Sequence, residues 1–150
     1  MSLLIVLALA MFIHMQTYSK IFWIAAWPGT AMHEILHWIV GWATLARPAR
    51  ISLFPKIDGD RAILGSVWFE NIGWWNAVPV ALAPLLGIPL CIIFVEAMPP
   101  IDLSIAGAFT AWVAASVLSQ SFPSREDWQV AFSQPVGIAI YAALGYWIIN

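Results

Sequence analysis

Five long apolar runs separated by short polar segments organise the chain. Residues Ser2 to Tyr18 form the first run, broken only by His14 and Gln16, and Ile21 to Leu45 form the second, with Glu34 as its only charged residue. About twenty apolar residues cross the hydrocarbon of a bilayer. The second run therefore spans with room for tilt, and the first is a short span. No basic stretch precedes the first run and no small-x-small cleavage site follows it, which argues for a retained helix rather than a signal peptide. The third run, Trp74 to Ala97, carries Pro79, Pro84 and Pro89, whose missing amide donors predict a kinked or partly broken helix. Leu103 to Phe122 forms a fourth run. After the polar break Pro123-Ser124-Arg125-Glu126-Asp127, Trp128 to Ile149 forms a fifth. The pattern predicts an all-α membrane protein of about five transmembrane helices.

Between the second and third runs, Ala46 to Gly73 changes character. Arg47, Arg50, Lys56, Asp58, Asp60, Arg61 and Glu70 all lie here, which makes it the main segment outside the membrane. Within it, Ile51 to Lys56 and Ala62 to Phe69 flank Asp58-Gly59, a two-residue signal for a tight turn, so a short β-hairpin-like connector is expected. Asp58 and Asp60 are read as turn residues.

Composition agrees with this picture. Hydrophobic residues make up 62% of the 150 and charged residues only 9%, against roughly 25% charged in a soluble domain, so most of the surface is expected to face lipid. A net charge of -2 offers no field for a polyanion, which excludes nucleic acid as an expected partner. Five of the six basic residues fall in the 46–73 connector and the 123–127 break, with Lys20 the exception. Five spans put both segments on one side, and the positive-inside rule makes that side cytoplasmic. The expected arrangement is a multi-pass cell-membrane protein with its N-terminus and the 46–73 connector in the cytoplasm and its C-terminus outside. Trp23, Trp27, Trp74, Trp75, Trp128 and Trp147 sit near span ends, as interfacial indoles do, whereas Trp112 is expected to pack against another helix. Gly107, Ala111, Ala115 and Ser119 recur every four residues along the fourth run, a stripe that lets a neighbouring backbone approach. Cys91, the only cysteine, lies in an apolar run and is read as a packed thiol. No long internal repeat or linker divides the chain, so residues 1–150 are read as one domain, and a homo-oligomer is compatible with it.

The chemistry concentrates in the second run, where His33-Glu34-Ile35-Leu36-His37 forms an HExxH pattern. Residues four apart share a helical face, so both imidazoles can reach one metal ion. Glu34 points near the same site, where it can take a proton from an activated water. A charge at the centre of a membrane helix costs on the order of 3 kcal/mol on insertion scales, so these residues need partners or a function. Hydrogen bonding to neighbouring helices, with Glu34 protonated, would meet that cost but not account for the spacing.

A catalytic zinc takes three protein ligands and leaves a fourth position open. Candidates for the third ligand are His14, Glu96, Asp102, Glu126 and Asp127. Glu96 and Asp102 fall on the face expected outside, while Glu126 and Asp127 approach from the cytoplasmic side. His37 lies eight residues short of the end of its run, about 12 Å by helical rise. Unwinding at Pro123 would let a carboxylate reach that depth, since irregular backbone is tolerated where it lines a polar cavity. As a purely structural residue, Asp127 would be a solvated acid near the start of the fifth helix. His14 is read as a hydrogen-bonded packing residue.

His33-Glu34-Ile35-Leu36-His37 inside a membrane helix, the hairpin-like stretch Ile51 to Phe69, Ala83-Pro84-Leu85-Leu86-Gly87 in the next helix, and the late Phe122-Pro123-Ser124-Arg125-Glu126-Asp127-Trp128 break resemble the site-2 protease family of intramembrane zinc metalloproteases. The similarity covers most of the chain in order, and its first motif is the sharp one. The resemblance implies one zinc ion per chain bound by His33, His37 and Asp127, with Glu34 as the catalytic residue that activates water. It also implies a membrane-protein substrate, cut within or near the bilayer. The third-ligand motif departs from the family's common Asn-Pro-Asp-Gly or Leu-Asp-Gly and is closer to a Pro-Ser-x-x-Asp form of one branch, which keeps Glu126 as the alternative ligand. The edge of the hairpin could accept an unwound substrate segment as an added strand. Asn76 and Gln120 are the remaining polar residues considered as oxyanion partners.

Two other functions stand beside this one. A haem-binding electron carrier would use His14 with His33 or His37, but helical rise separates their depths by roughly 12 Å and Glu34 would have no role. A non-catalytic membrane subunit would keep the fold as a binding or assembly module. A fatty-acyl desaturase is excluded, because such sites need several more histidines than three.

Overall fold

The computed structural model describes residues 2–15, 20–58 and 61–150. Over these residues the chain forms seven α-helices and four short strands, so it is mostly helical but not all-α. The first two apolar runs become α1 (Ser2–Met15) and α2 (Lys20–Ala43). The proline-rich third run is broken as its sequence predicts, into α3 (Ala77–Ala81), a 3-10 turn (Ala83–Leu86) and α4 (Gly87–Ala97). Pro79, Pro84 and Pro89 each fall within the first turn of their own piece, where an amide has no intrahelical acceptor to lose. The fourth run forms α5 (Ile105–Ser119).

The fifth run departs from the single helix expected. It forms α6 (Arg125–Phe132) and α7 (Pro135–Ile149), bent by 90°. Pro135 opens α7 and excludes helical backbone from the residue before it, and Gln134 accordingly adopts φ -121°, ψ 68°. Among the described residues no single helix is long and apolar enough to cross a membrane, although α6 and α7 together pass by length and composition as a broken span. With 24 residues α2 is long enough, but His33, Glu34 and His37 lower its average hydropathy.

The 46–73 connector folds back on itself as two antiparallel ladders. β1 (Pro48–Ser52) pairs with β4 (Ser66–Phe69), and β2 (Lys56–Asp58) pairs with β3 (Arg61–Ile63). The inner ladder runs to Asp58 opposite Arg61, so Asp58 belongs to a strand rather than to the turn expected of it. Gly59 and Asp60 lie outside the described residues.

The core forms where α5 meets α1, α2 and α4. Val6, Ala10 and Ile13 of α1, Phe22 and Ala26 of α2, Cys91 of α4, and Ala114, Ala115 and Val117 of α5 are its buried members. The Cys91 thiol donates to the Ala114 carbonyl at 3.3 Å, as a packed cysteine should. Two polar contacts fix α2 on α5 beside Pro28. The Gly29 amide donates to the Ser116 hydroxyl at 2.8 Å, and the Trp112 indole donates to the Ala25 carbonyl at 2.9 Å. Gly29 is required for this approach, because a Cβ there would collide with the Ser116 backbone carbonyl.

At its other end, α2 is tied to the connector. The Leu45 amide bonds the Trp42 carbonyl and the Ala46 amide bonds the Gly41 carbonyl, a Schellman closure that needs a left-handed residue at its pivot. Leu45 occupies that pivot at φ 56°. Fully buried Asn76 then donates to the Thr44 and Asn71 carbonyls and accepts from the Gly73 amide, joining the end of α2 to the approach to α3.

Two substitutions test this packing by thermal unfolding of the purified protein. Leu45→Gly relieves the left-handed pivot and stabilises the fold by about 1 kcal/mol. Gly29→Ala forces α2 off α5 and destabilises it by about 1–3 kcal/mol. Unfolding temperatures that move in the opposite directions would contradict the packing described.

Candidate metal centre

His33 and His37 lie one turn apart on α2, so their imidazoles leave the same face. The rings meet edge to face, with centroids 4.7 Å apart. His33 Nδ1 is 2.8 Å from the Gln120 carbonyl, and His37 Nδ1 is 2.8 Å from the Val80 carbonyl. A carbonyl oxygen only accepts, so Nδ1 of each ring donates and Nε2 is the nitrogen that faces the site. The two Nε2 atoms stand 3.1 Å apart. Asp127 completes the group, with Oδ2 at 3.3 Å from His33 Nε2 and Oδ1 at 3.1 Å from His37 Nε2.

The residues after α5 bring Asp127 there. The chain stops being helical after Ser119 and resumes at Arg125, which is the unwinding expected at Pro123. Ser124 caps α6, its hydroxyl accepting from the Asp127 amide at 3.1 Å while Asp127 Oδ2 accepts from the Ser124 amide at 2.7 Å. Asp127 is thus both the acid that caps a helix start and the acid that faces the histidines. Every member of the trio is oriented by a backbone group behind it: the Gln120 carbonyl, the Val80 carbonyl or the Ser124 amide.

This donor set fits a divalent metal. Two imidazole nitrogens and a carboxylate suit zinc. One ligand atom from each of the three residues lies within 4.8 Å of the other two, close enough for one ion to reach all three. Among the described residues, His33, His37 and Asp127 are the one such group close enough to hold an ion. The group lines a cavity of about 1060 Å³, together with Glu34, Thr30, Gln120, Arg125 and connector residues that include Leu64, Gly65 and Ser66. Glu34 is only 8% exposed, so its carboxylate is held inside the protein beside the trio.

The remaining sequence candidates separate clearly. Glu126 lines the cavity and is exposed, but it is outside the trio. Glu96 and Asp102 are exposed and outside it as well. Asp102 instead accepts from the Ser104 hydroxyl and amide at the start of α5, which hold its carboxyl below the usual carboxylate range. His14 lines the same cavity, so the depth offset expected from helical rise does not keep it away. Asn76 is fully buried and committed to backbone groups, which removes it as an oxyanion partner. Gln120 lines the cavity and orients His33 through its carbonyl.

Sequence reasoning missed the residues behind the ligands. Ser124 had a readable signal, since Ser-x-x-Asp is a capping pattern. The Val80 and Gln120 carbonyls had none, because any residue supplies a carbonyl. Comparison with family models, curated proteins and solved structures returned no match.

Zinc titration of the purified chain tests the centre. Alanine at His33, His37 or Asp127 lowers affinity by more than about 100-fold, and Ser124→Ala, which loosens Asp127, lowers it about tenfold. Glu126→Ala leaves it unchanged. If instead Glu126→Ala abolishes binding and Asp127→Ala does not, the third ligand is Glu126.

Proposed function

We propose that this protein is a multi-pass membrane zinc endopeptidase that hydrolyses a peptide bond of another membrane protein within or near the bilayer, like the site-2 proteases it resembles. The observation that carries this reading is the meeting of His33 Nε2, His37 Nε2 and the Asp127 carboxylate at 3.1–3.3 Å, with Glu34 buried beside them. A zinc ion held by the three would supply a Lewis acid for the scissile carbonyl and acidify a water molecule. Glu34 is the group of this chain that would take a proton from a water at the site and pass it to the leaving amine. The carbonyls of Gln120 and Val80 keep both imidazoles in the tautomer that turns Nε2 to the site, and the Ser124 amide keeps Asp127 turned toward them.

A cavity of about 1060 Å³ is at the upper end for small-ligand pockets, roughly 300–1,000 Å³, and so suits a stretch of peptide. The connector supports how such a peptide is held. Each strand of a two-stranded ladder keeps one edge unpaired, and an extended segment can add to it. Ser66 and Val67 of β4 line the cavity, so a peptide bound there lies next to Glu34.

Membrane residence is supported by composition and by the outer faces of the helices. Leu4, Met11 and Phe12 of α1, Ile92 and Ile93 of α4, and Ile148 and Ile149 of α7 are all exposed, more apolar surface than water favours. The basic residues of the connector and the 123–127 break assign those segments to the cytoplasmic side under the positive-inside rule.

Incubation of the purified protein with a transmembrane peptide in detergent or vesicles tests the proposal. Wild type cleaves, a chelator stops cleavage, and added zinc restores it. Glu34→Gln keeps zinc but loses cleavage by at least about 100-fold, the weight of a general base. Cleavage by Glu34→Gln at the wild-type rate would rule the mechanism out.

A further inference from the structure

Glu34 is buried and lines the cavity beside the trio, and the segment between β3 and β4 packs against its side chain. A Cβ built on Gly65 would lie 2.6 Å from Glu34 Cγ, 2.8 Å from Oε1 and 3.0 Å from Cδ, and these are its three nearest atoms. The hairpin therefore rests on the carboxylate, and it can do so only because residue 65 has no side chain.

The consequence depends on which group would yield. At Gly29 and Gly137 an added Cβ meets a backbone carbonyl, of Ser116 and Trp74, and only movement of a helix relieves it. At Gly65 it meets no backbone, only Glu34 from Cγ outward, so turning that one side chain relieves it. Gly65 also lies outside the left-handed backbone region, so an alanine there is free of backbone strain. The fold and the metal ligands tolerate the change, while Glu34 loses the place it occupies.

We infer that Gly65 is a positioning residue for Glu34: the bare backbone of the hairpin holds the carboxylate at the metal centre and sets the clearance above it. This rests on the proposed role of Glu34 as the proton-transferring group. It also makes docking of the hairpin on α2 a condition of activity, because a connector lifted from α2 would leave Glu34 free to turn.

The test uses the full chain carrying Gly65→Ala, with zinc affinity, thermal unfolding and transmembrane-peptide cleavage measured on each sample. Zinc affinity and unfolding temperature stay at wild-type values, KM changes little, and kcat falls about 100-fold, as for a reacting group misplaced by about 1 Å. In a Glu34→Ala background, which lacks the Cγ and the carboxyl atoms that the new Cβ would meet, the same substitution lowers the remaining kcat by only about threefold or less, a non-additivity that marks direct coupling. Independently of activity, the pair Glu34→Cys and Gly65→Cys in a Cys91→Ala chain forms a disulfide on mild oxidation. Full kcat in Gly65→Ala, joint loss of zinc and thermal stability, additive effects with Glu34→Ala, or no disulfide would each overturn the inference. If wild type itself cleaves no peptide, the proposed function fails and takes this role of Gly65 with it, whereas an active wild type matched by Gly65→Ala removes the inference alone.

Discussion

Two imidazole nitrogens and a carboxylate, held 3.1–3.3 Å apart inside a mostly apolar protein, are the constraint around which the rest of the structure is arranged. With both Nδ1 atoms committed to carbonyls, the facing Nε2 lone pairs repel each other and the carboxylate unless a proton or a metal ion lies among them. Such an arrangement persists only if each group is fixed from behind. α5 ends where the Gln120 carbonyl meets His33, the broken third run puts the Val80 carbonyl against His37, and α6 begins at the Ser124 cap that orients Asp127. The helix breaks are therefore the places from which the site is built.

The same logic explains where glycine and asparagine are used. Gly29 lets α2 lie on α5, so that Gln120 at the end of α5 comes level with His33 one turn further along α2. Asn76 ties the end of α2 to the chain approaching α3, which brings Val80 within reach of His37. Gly65 lets the connector close over Glu34. Close approach of backbone, rather than large side chains, sets the distances at the centre.

Much of this was legible in the chain. HExxH announces two imidazoles on one helical face with an acid next to them, the three prolines announce the broken third run, and Asp58-Gly59 announces that the connector folds back on itself. Pro135 was an available signal for the bend between α6 and α7, but the uninterrupted apolar composition of Trp128 to Ile149 outweighed it. Asp127 could be ranked above Glu126 only through resemblance, because neighbouring residues differ in direction and direction depends on the α6 cap. The supporting carbonyls and the contact between Gly65 and Glu34 depend on tertiary approach and leave no trace in residue type. Spans of full length were also overestimated, since apolar runs do not reveal where a helix stops.

The zinc X-ray absorption spectrum of the metal-loaded protein tests the central claim most directly, because it reads the ligands without reference to any activity. Coordination by His33, His37 and Asp127 predicts a shell of nitrogen and oxygen only, at about 2.0–2.1 Å, with the outer scattering of two imidazoles. A sulfur shell at about 2.3 Å, which would require Cys91, or a spectrum without imidazole scattering, would contradict it.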